Sequence, residues 1–423
     1  MLDLLLLGQK TAPDFFWDAR AGILPPGSTF TRGSSGWSFN NAGVLTQSGN
    51  NVARFDHDPA TLTPLGYLAE RQSTNAVTQS QNFSTGWTAS NVTLTNNAVT
   101  APDGTTTAGT LLLNSGSALH QLQSSASFAY SSGNVLGMSC FVKEITGGSW
   151  VQFTFGGNSG FNFQPSSGAV GSSLTGSQSN VVARQLANGW WRISFLFTAS
   201  ATTSSSLAVS FVSASNATPA PTITGDGTST VAVWGFQVDS ANCGVTSYIP
   251  TAGSTVTRSG DLLTVPVTAI SRWNPVNGCV IAASYCLHTN TGFGGAAQTQ
   301  DVVYITDTGT NYFEASGQSG AAAMGLLCRR SDLGFQLNIA AASNPVPTPF
   351  LRRKAAWGLS PNRGQIAVDG AMVVTGAGPA IMPVAPTQID IGGPTLSSLC
   401  GTLETISIYS GSRSDGFVLA RTQ

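Results

Sequence analysis

Chemistry on a sugar polymer asks first for carboxylates, since cleaving a glycosidic bond takes two of them flanking the bond, about 5 to 10 Å apart. The chain holds four glutamates, Glu70, Glu144, Glu314 and Glu404, spread over three regions. Its aspartates sit mostly in turn contexts, with Asp103, Asp226 and Asp369 each preceding a glycine. The one dense polar cluster is Asp56, His57 and Asp58, directly before Pro59. Such a trio could hold a metal, but Asp side chains in a turn cap backbone amides, and turn chemistry is the reading taken. His120 and His288 stand alone in strand-like surroundings, and no G-x-S-x-G elbow, phosphate-binding loop or H-E-x-x-H pattern occurs. No catalytic residue, metal site or cofactor is therefore assigned, and the chain is expected not to be an enzyme.

Binding a sugar asks for something else: an exposed flat ring on which a pyranose can stack, with amides and hydroxyls to meet its hydroxyls. The densest aromatic stretch is SWVQFTFGGNSGFNF, which sets Trp150, Phe153, Phe155, Phe161 and Phe163 beside Asn158 and Asn162. By the two-residue period of a strand, Phe153 and Phe155 share one face and Trp150 takes the other. Trp190 and Trp191 must also face opposite sides, one toward a core and one outside or at an interface, whereas Trp234 in VAVWGFQV is expected in a core. The candidate carbohydrate contacts are Trp150, Trp191, Asn158 and Phe161. The competing reading makes the phenylalanines core and lets Trp150 cover an edge.

The elements that must position these side chains are set by an unusual composition. Of 423 residues only 18 are basic and 19 acidic, so charged side chains make up 9%, against roughly 25% in an ordinary soluble domain. Hydroxyls and bare backbone take their place, with 51 Ser and 47 Thr beside 48 Gly. A net charge of −1 gives no field for steering toward phosphate backbones, so nucleic acid is not an expected partner. A hydrophobic fraction of 41% can build a core. The opening MLDLLLLGQK has too short an apolar run for a signal peptide or a membrane span, and is read as a short anchoring strand or helical turn, with no membrane insertion. Cys140, Cys243, Cys279, Cys286, Cys328 and Cys400 lack C-x-x-C spacing and are read as buried free thiols.

Helical periodicity is scarce, while short runs rich in Val, Ile, Phe, Tyr, Trp and Thr recur between Gly, Ser, Asn and Asp clusters. In WRISFLF, Trp191, Ile193, Phe195 and Phe197 make one apolar face. After the linker-like TSYIPTAGSTVTRSGDLLTV, nine more strand candidates run from CVIAASYCL to GTLETISIYS. Asp369-Gly370 reads as a two-residue hairpin turn, and a single helix is expected from Ser414 as N-cap. The reading is an all-β chain of two antiparallel β-sandwich (jelly-roll) domains behind an irregular N-terminal attachment region. The expected divisions are 1–75, 76–265 and 266–423.

Several phrases occur in an order that resembles a family of bacteriophage and prophage virion proteins, the tail fibre, head fibre or minor structural proteins. From Thr29 to Trp87 these are a T-F-T-R start, a G-V-L phrase, R-F-D-H-D-P, G-x-L-x-E, then T-N and a closing aromatic. TAPDGTTTA from Thr100, NGWWRISFLFTA from Asn188, GDGTSTVAVWGFQVDS from Gly225 and TSYIPTAGSTVTRSGD from Thr246 are similar to later blocks. The central segment is similar to carbohydrate-binding jelly rolls. The part after residue 270 resembles concanavalin-like or laminin-G-like sandwiches through RKAAWGLS and VDGAMVV, around Trp357 and Asp369. The resemblance implies a noncatalytic structural and adhesion component of a phage-like virion, made in the bacterial cytoplasm. Its expected partners are other virion proteins, copies of itself in a homo-oligomer (a trimer) and host cell-surface polysaccharide. The competing classes are a polysaccharide-degrading tailspike-type enzyme and an assembly module without glycan binding.

Overall fold

A computed structural model describes residues 12–240, 244–270, 278–288, 299–307, 311–319, 323–330, 334–341, 350–377, 386–394 and 399–423. The apolar Leu4 to Leu7 run and Cys243 lie outside the described residues, as does the side chain of Cys328. The chain is all-β and antiparallel, and among the described residues its strands form two sandwiches and a few two-stranded pairs.

In the first sandwich one sheet runs Gln178–Gln185, Trp190–Thr198, Val135–Thr146, Thr230–Val238, Ala108–Leu113 and Val92–Val99. The facing sheet runs Ala169–Ser173, Ser159–Gln164, Trp150–Phe155, Leu207–Val212, Gln121–Ser124 and Trp87–Ser90. Period-two alternation puts Val151, Phe153 and Phe155 inside from one sheet, and Ile193, Phe195 and Phe197 from the other. Their rings interlock edge to face, with Phe153 and Phe195 at 5.3 Å and Phe155 and Phe197 at 5.0 Å, a geometry aromatic pairs prefer.

The second sandwich draws on both ends of the chain. Its larger sheet runs Ala371–Ala377, Arg363–Val368, Arg352–Ser360, Cys279–Leu287, Gly401–Ser410, Pro64–Ala69 and Phe55–His57, and Phe15–Asp18 also pairs with Gly401–Ser410. The facing sheet runs Thr29–Thr31, Leu262–Pro266, Gln388–Ile391, Gln300–Thr306, Tyr312–Ser319, Ala323–Arg330 and Gly334–Ala341. Phe15, Trp17, Phe30 and Tyr67 from the N-terminal stretch share one core with Ile281, Trp357 and Ile408.

This pairing corrects the expected divisions. Within 1–75 the described residues are not an irregular arm: Phe15–Asp18, Thr29–Thr31, Phe55–His57 and Pro64–Ala69 join the sheets of the second sandwich, while Gly36–Phe39 pairs with Leu45–Ser48 and Ser73–Asn75 with Val256–Arg258. The division at 265 also falls inside a strand of that sandwich, Leu262–Pro266. The first sandwich is therefore an insertion between two halves of the second. Strands of three or four residues show almost no alternation, and their partners lie far along the chain, so neither pairing nor register could be read locally. Gly66 shows what the G-x-L-x-E phrase requires. At φ +89° it passes so close to the next strand that a Cβ would sit 2.1 Å from the Leu403 carbonyl oxygen.

Local signals held where they were strong. Asp369 and Gly370 both have positive φ, 46° and 83°, as the mirror-image hairpin turn demands. Helix Asp415–Ala420 begins at Ser414, whose side chain accepts the Phe417 N–H. Val418 seats this helix on Ala356 and Ala367.

Candidate functional site

The outer face of the sheet that carries Trp150 is built by the alternation that fills the core. With Val151, Phe153 and Phe155 inside, Trp150, Gln152 and Thr154 point outward. Register then aligns Asn162, Gln152, Ser210, Gln121 and Ser90 across five strands as one polar row. Part of this row is roofed by the loop 213–222. Gln152 Nε2 donates to Asn162 Oδ1 at 2.9 Å and to the Thr218 carbonyl at 3.0 Å, and its Oε1 accepts the Ala220 amide at 2.9 Å. Asn162 Nδ2 donates to the carbonyls of Ser215 and Ala217, at 3.1 and 3.0 Å. Beyond the roof lie Gln121 and Gln123 on one side, and half-buried Trp150 with Gln164 on the other. These outer amides are themselves engaged, Gln123 Nε2 donating to Ser206 Oγ at 2.9 Å and Gln164 Nε2 to the Gly148 carbonyl at 3.1 Å. An indole beside partly exposed amides, with no fixed charge among them, suits stacking and hydrogen bonding to a neutral polyhydroxylated ring.

The four carbohydrate contacts expected from sequence do not converge. Trp150 stands at the start of its strand, opposite Val212. Asn158 is exposed in the hairpin after Phe155, about 17 Å along the same strand direction. Phe161 is corrected outright: it is fully buried between the sheets, 6.2 Å from the Phe195 ring, where no glycan reaches. Trp191 is half-buried on the facing sheet, with its ring 5.6 Å from Phe163. It also lies so close over Gly168 that a Cβ there would meet it at 2.2 Å. Trp191 thus covers the end of the core. Trp190 packs on the opposite side with Phe141 and Trp234, as the alternation requires. Trp234 is fully buried and donates to Thr107 Oγ1 at 3.0 Å. The outer amides Gln121, Gln123 and Gln164 were missed, although counting by two from Trp150 and the core residues would have found their face.

The phrases that carry the family resemblance meet in one place. Arg32, Arg54, Glu70, Arg258 and Asp261 form a buried ionic knot where the two sandwiches join. Arg54 donates to Asp261 Oδ2 at 2.5 Å and reaches Glu70 Oε2 at 2.7 Å, while Arg32 meets Asp261 Oδ1 at 3.1 Å. Ser247 of the linker-like phrase donates to Glu70 through both N–H and Oγ, each at 2.6 Å. Burial would raise the Glu70 carboxyl, but Arg258, Arg54 and Ser247 outweigh it and hold that group well below the usual carboxylate range. The Arg54 guanidinium is likewise held charged by Asp261 and Glu70 against its burial. A second buried set ties Asp239 to Ser73 and Thr246 at 2.8 and 2.5 Å.

The other candidates also take structural roles. Asp58 Oδ1 accepts the amides of Ala60 and Thr61, the expected turn chemistry, whereas Asp56 and His57 lie in a strand and Asp56 accepts the Phe39 amide of a separate strand at 2.7 Å. Asp226 and Asp103 cap their turns in the same way. His120 is buried between the carbonyls of Asn91 and Gly116. Glu144 accepts the Gly148 amide, and Glu404 pairs with Arg352 at 2.6 Å. Cys140, Cys279, Cys286 and Cys400 take part in no disulfide. Among the described residues no group of His, Cys, Asp and Glu could hold a metal ion, and no helix is long and apolar enough to cross a membrane.

No family model matches the chain, and no curated protein matches it. Among solved structures it is similar to the CBM40 domain of Ruminococcus gnavus IT-sialidase bound to α2,3-sialyllactose. The identity is 15%, covering 35% of this chain and 83% of that one, with a TM-score of 0.30. Domain 4 of AbnA, a GH43 extracellular arabinanase from Geobacillus stearothermophilus, in complex with arabinotriose, is 11% identical over 43% of this chain and 82% of that one, with a TM-score of 0.31. A SAP-like pentraxin from Limulus polyphemus is 11% identical over 33% and 66%, at 0.26. Scores of this size carry nothing over to this chain, whose sandwich architecture stands on its own strand pairing.

Proposed function

We propose that this chain is a noncatalytic structural and adhesion component of a phage or phage-derived particle, one that contacts glycans through the outer rim of its inserted sandwich. The observation that carries the glycan reading is half-buried Trp150 on an outward face furnished with neutral amides rather than charges. The particle reading is supported by the ordered phrases from Thr29 to Asp261. The sparse charge also favours close lateral packing of copies, since few ions must be desolvated between them. On this reading the partners are host surface polysaccharide, other particle proteins and further copies of the chain. The test is affinity electrophoresis of the purified protein through host capsule or lipopolysaccharide, run beside an assay for new reducing ends. Retardation without reducing ends supports adhesion. Free migration in every polysaccharide contradicts it.

One observation favours a second reading, a polysaccharide-degrading enzyme. Asp390, Tyr304 and Glu314 occupy one register row on three adjacent strands of the second sandwich. That row sets the two carboxylates two strands, about 9.5 Å, apart. Burial raises both carboxyls, and Asp301 hydrogen-bonds Glu314. Both side chains are nearly closed off, at 3% and 7% exposure, which leaves little room for a substrate and puts this reading second. Reducing ends that vanish in Glu314→Gln would put it first.

A further inference from the structure

Where the two sandwiches meet there is an open cleft of about 300 Å³, at the lower end of the range for ligand sites and at the kind of domain junction where such sites occur. One wall is the edge strand of the inserted sandwich, with Val182 and Arg184; the other is Asp58 and Leu65 of the N-terminal stretch, with His288 and Phe350. The Arg184 guanidinium lies over two rings, Phe39 at 5.5 Å and Phe350 at 5.4 Å. What it offers a ligand is its in-plane N–H groups. Nη2 donates to the His57 carbonyl at 3.3 Å, but Nη1 stands 4.0 Å from Asp56 Oδ2. Asp58 uses Oδ1 for its turn and keeps Oδ2 3.8 Å from Arg184 Nη2. Both gaps are beyond hydrogen-bond reach. His288, stacked on Phe350 at 4.7 Å, has a buried Nε2 with no partner. Burial, with Arg184 nearby, pushes this imidazole down to about 3, so it is neutral near pH 7.

The cleft therefore offers a donor, an acceptor and a neutral imidazole with Nε2 unpartnered, against an aromatic wall. One cation faces two carboxylates, so an anionic ligand gains nothing here. A hydroxyl both donates and accepts, and can serve Asp58 Oδ2 and Arg184 Nη1 at once. We propose that this cleft is a binding site for one neutral pyranose ring or a polyol of that size, separate from the Trp150 rim and independent of it. The ring can come as a free sugar or as the end unit of a polysaccharide.

The experiment is saturation-transfer NMR on the full chain with neutral methyl glycosides of glucose, galactose, mannose and N-acetylglucosamine, with methyl glucuronate as the charged control. At least one neutral glycoside should receive saturation and glucuronate should not. Asp58→Asn keeps the turn-capping oxygen and should weaken binding about tenfold, the effect of losing one hydrogen bond to a charged group. Leu65→Trp, which fills the cleft from its rim, should abolish binding, with Val182→Phe as the second filler if that variant does not fold. Trp150→Ala should leave it unchanged. Competition by a polymer carrying the same end unit tells a chain end from a free sugar. Silence from every neutral glycoside, or binding that survives both fillers, overturns the proposal. Loss in Trp150→Ala with retention in Leu65→Trp also overturns it, and leaves the rim reading standing.

Discussion

The knot at the junction and the rim around Trp150 are built from opposite materials. The knot gathers three arginines and two carboxylates at essentially zero exposure, each held by others in the set. The rim has an indole, amides and hydroxyls, and its neighbours tolerate water. Buried ions are unforgiving, because an unpaired charge in a dry interior has no solvent to turn to. The phrases most specific in this sequence thus mark where the chain is fastened, and the rim proposed to meet a glycan is left with common residue types.

The largest expected effect breaks the fastened side. Asp261→Ala leaves Arg32 and Arg54 facing each other without their shared carboxylate, and unfolding in urea should show a loss of about 3 to 5 kcal/mol. A loss under about 1 kcal/mol would mean that the knot is solvated. Trp234→Ala should cost a similar amount, about 3 to 5 kcal/mol, by opening a cavity between Phe141 and Tyr248. Trp150→Ala should stay near 1 kcal/mol or below, since this residue is only partly buried and lies outside the core. Equal losses at the two tryptophans would erase the contrast between core and rim.

Acid sharpens the same contrast. The Glu70 carboxyl is held below its ordinary value in the fold, so its contribution is fully present above the ordinary carboxylate range. That contribution is lost as pH falls through and below this range, as Glu70 becomes protonated. A titration of the melting temperature should drop less steeply in Glu70→Gln than in the parent between about pH 5 and 2. Parallel curves would contradict the pairing. Smaller still, Cys140, Cys279 and Cys400 should resist alkylation until the chain is denatured. At the bottom of the scale, Asn158→Ala should change stability by no more than about 0.5 kcal/mol.

How much could be read in advance followed the range of the interaction. The inward faces of WRISFLF and WVQFTF, the Asp369-Gly370 turn and the Ser414 cap depend on residues within a few positions of one another, and all stand as read. The insertion was invisible, because Thr29–Thr31 pairs with Leu262–Pro266 and Phe15–Asp18 with Gly401–Ser410, and such short strands carry no register of their own. That Trp150 faces outward was legible by alternation. Phe161 was misplaced because composition cannot tell which face of the following hairpin strand turns inward. Arg184 gave no signal, since its value lies in Phe39, Asp58 and Phe350, which only the fold brings to it.

The most direct measurement is a glycan array probed with the full chain and with Trp150→Ala, after equal melting temperatures have been established for the two. The account predicts that the parent binds a restricted set of neutral glycans and that Trp150→Ala loses most of that signal. A blank array for the parent, or an unchanged pattern in the variant, would contradict it.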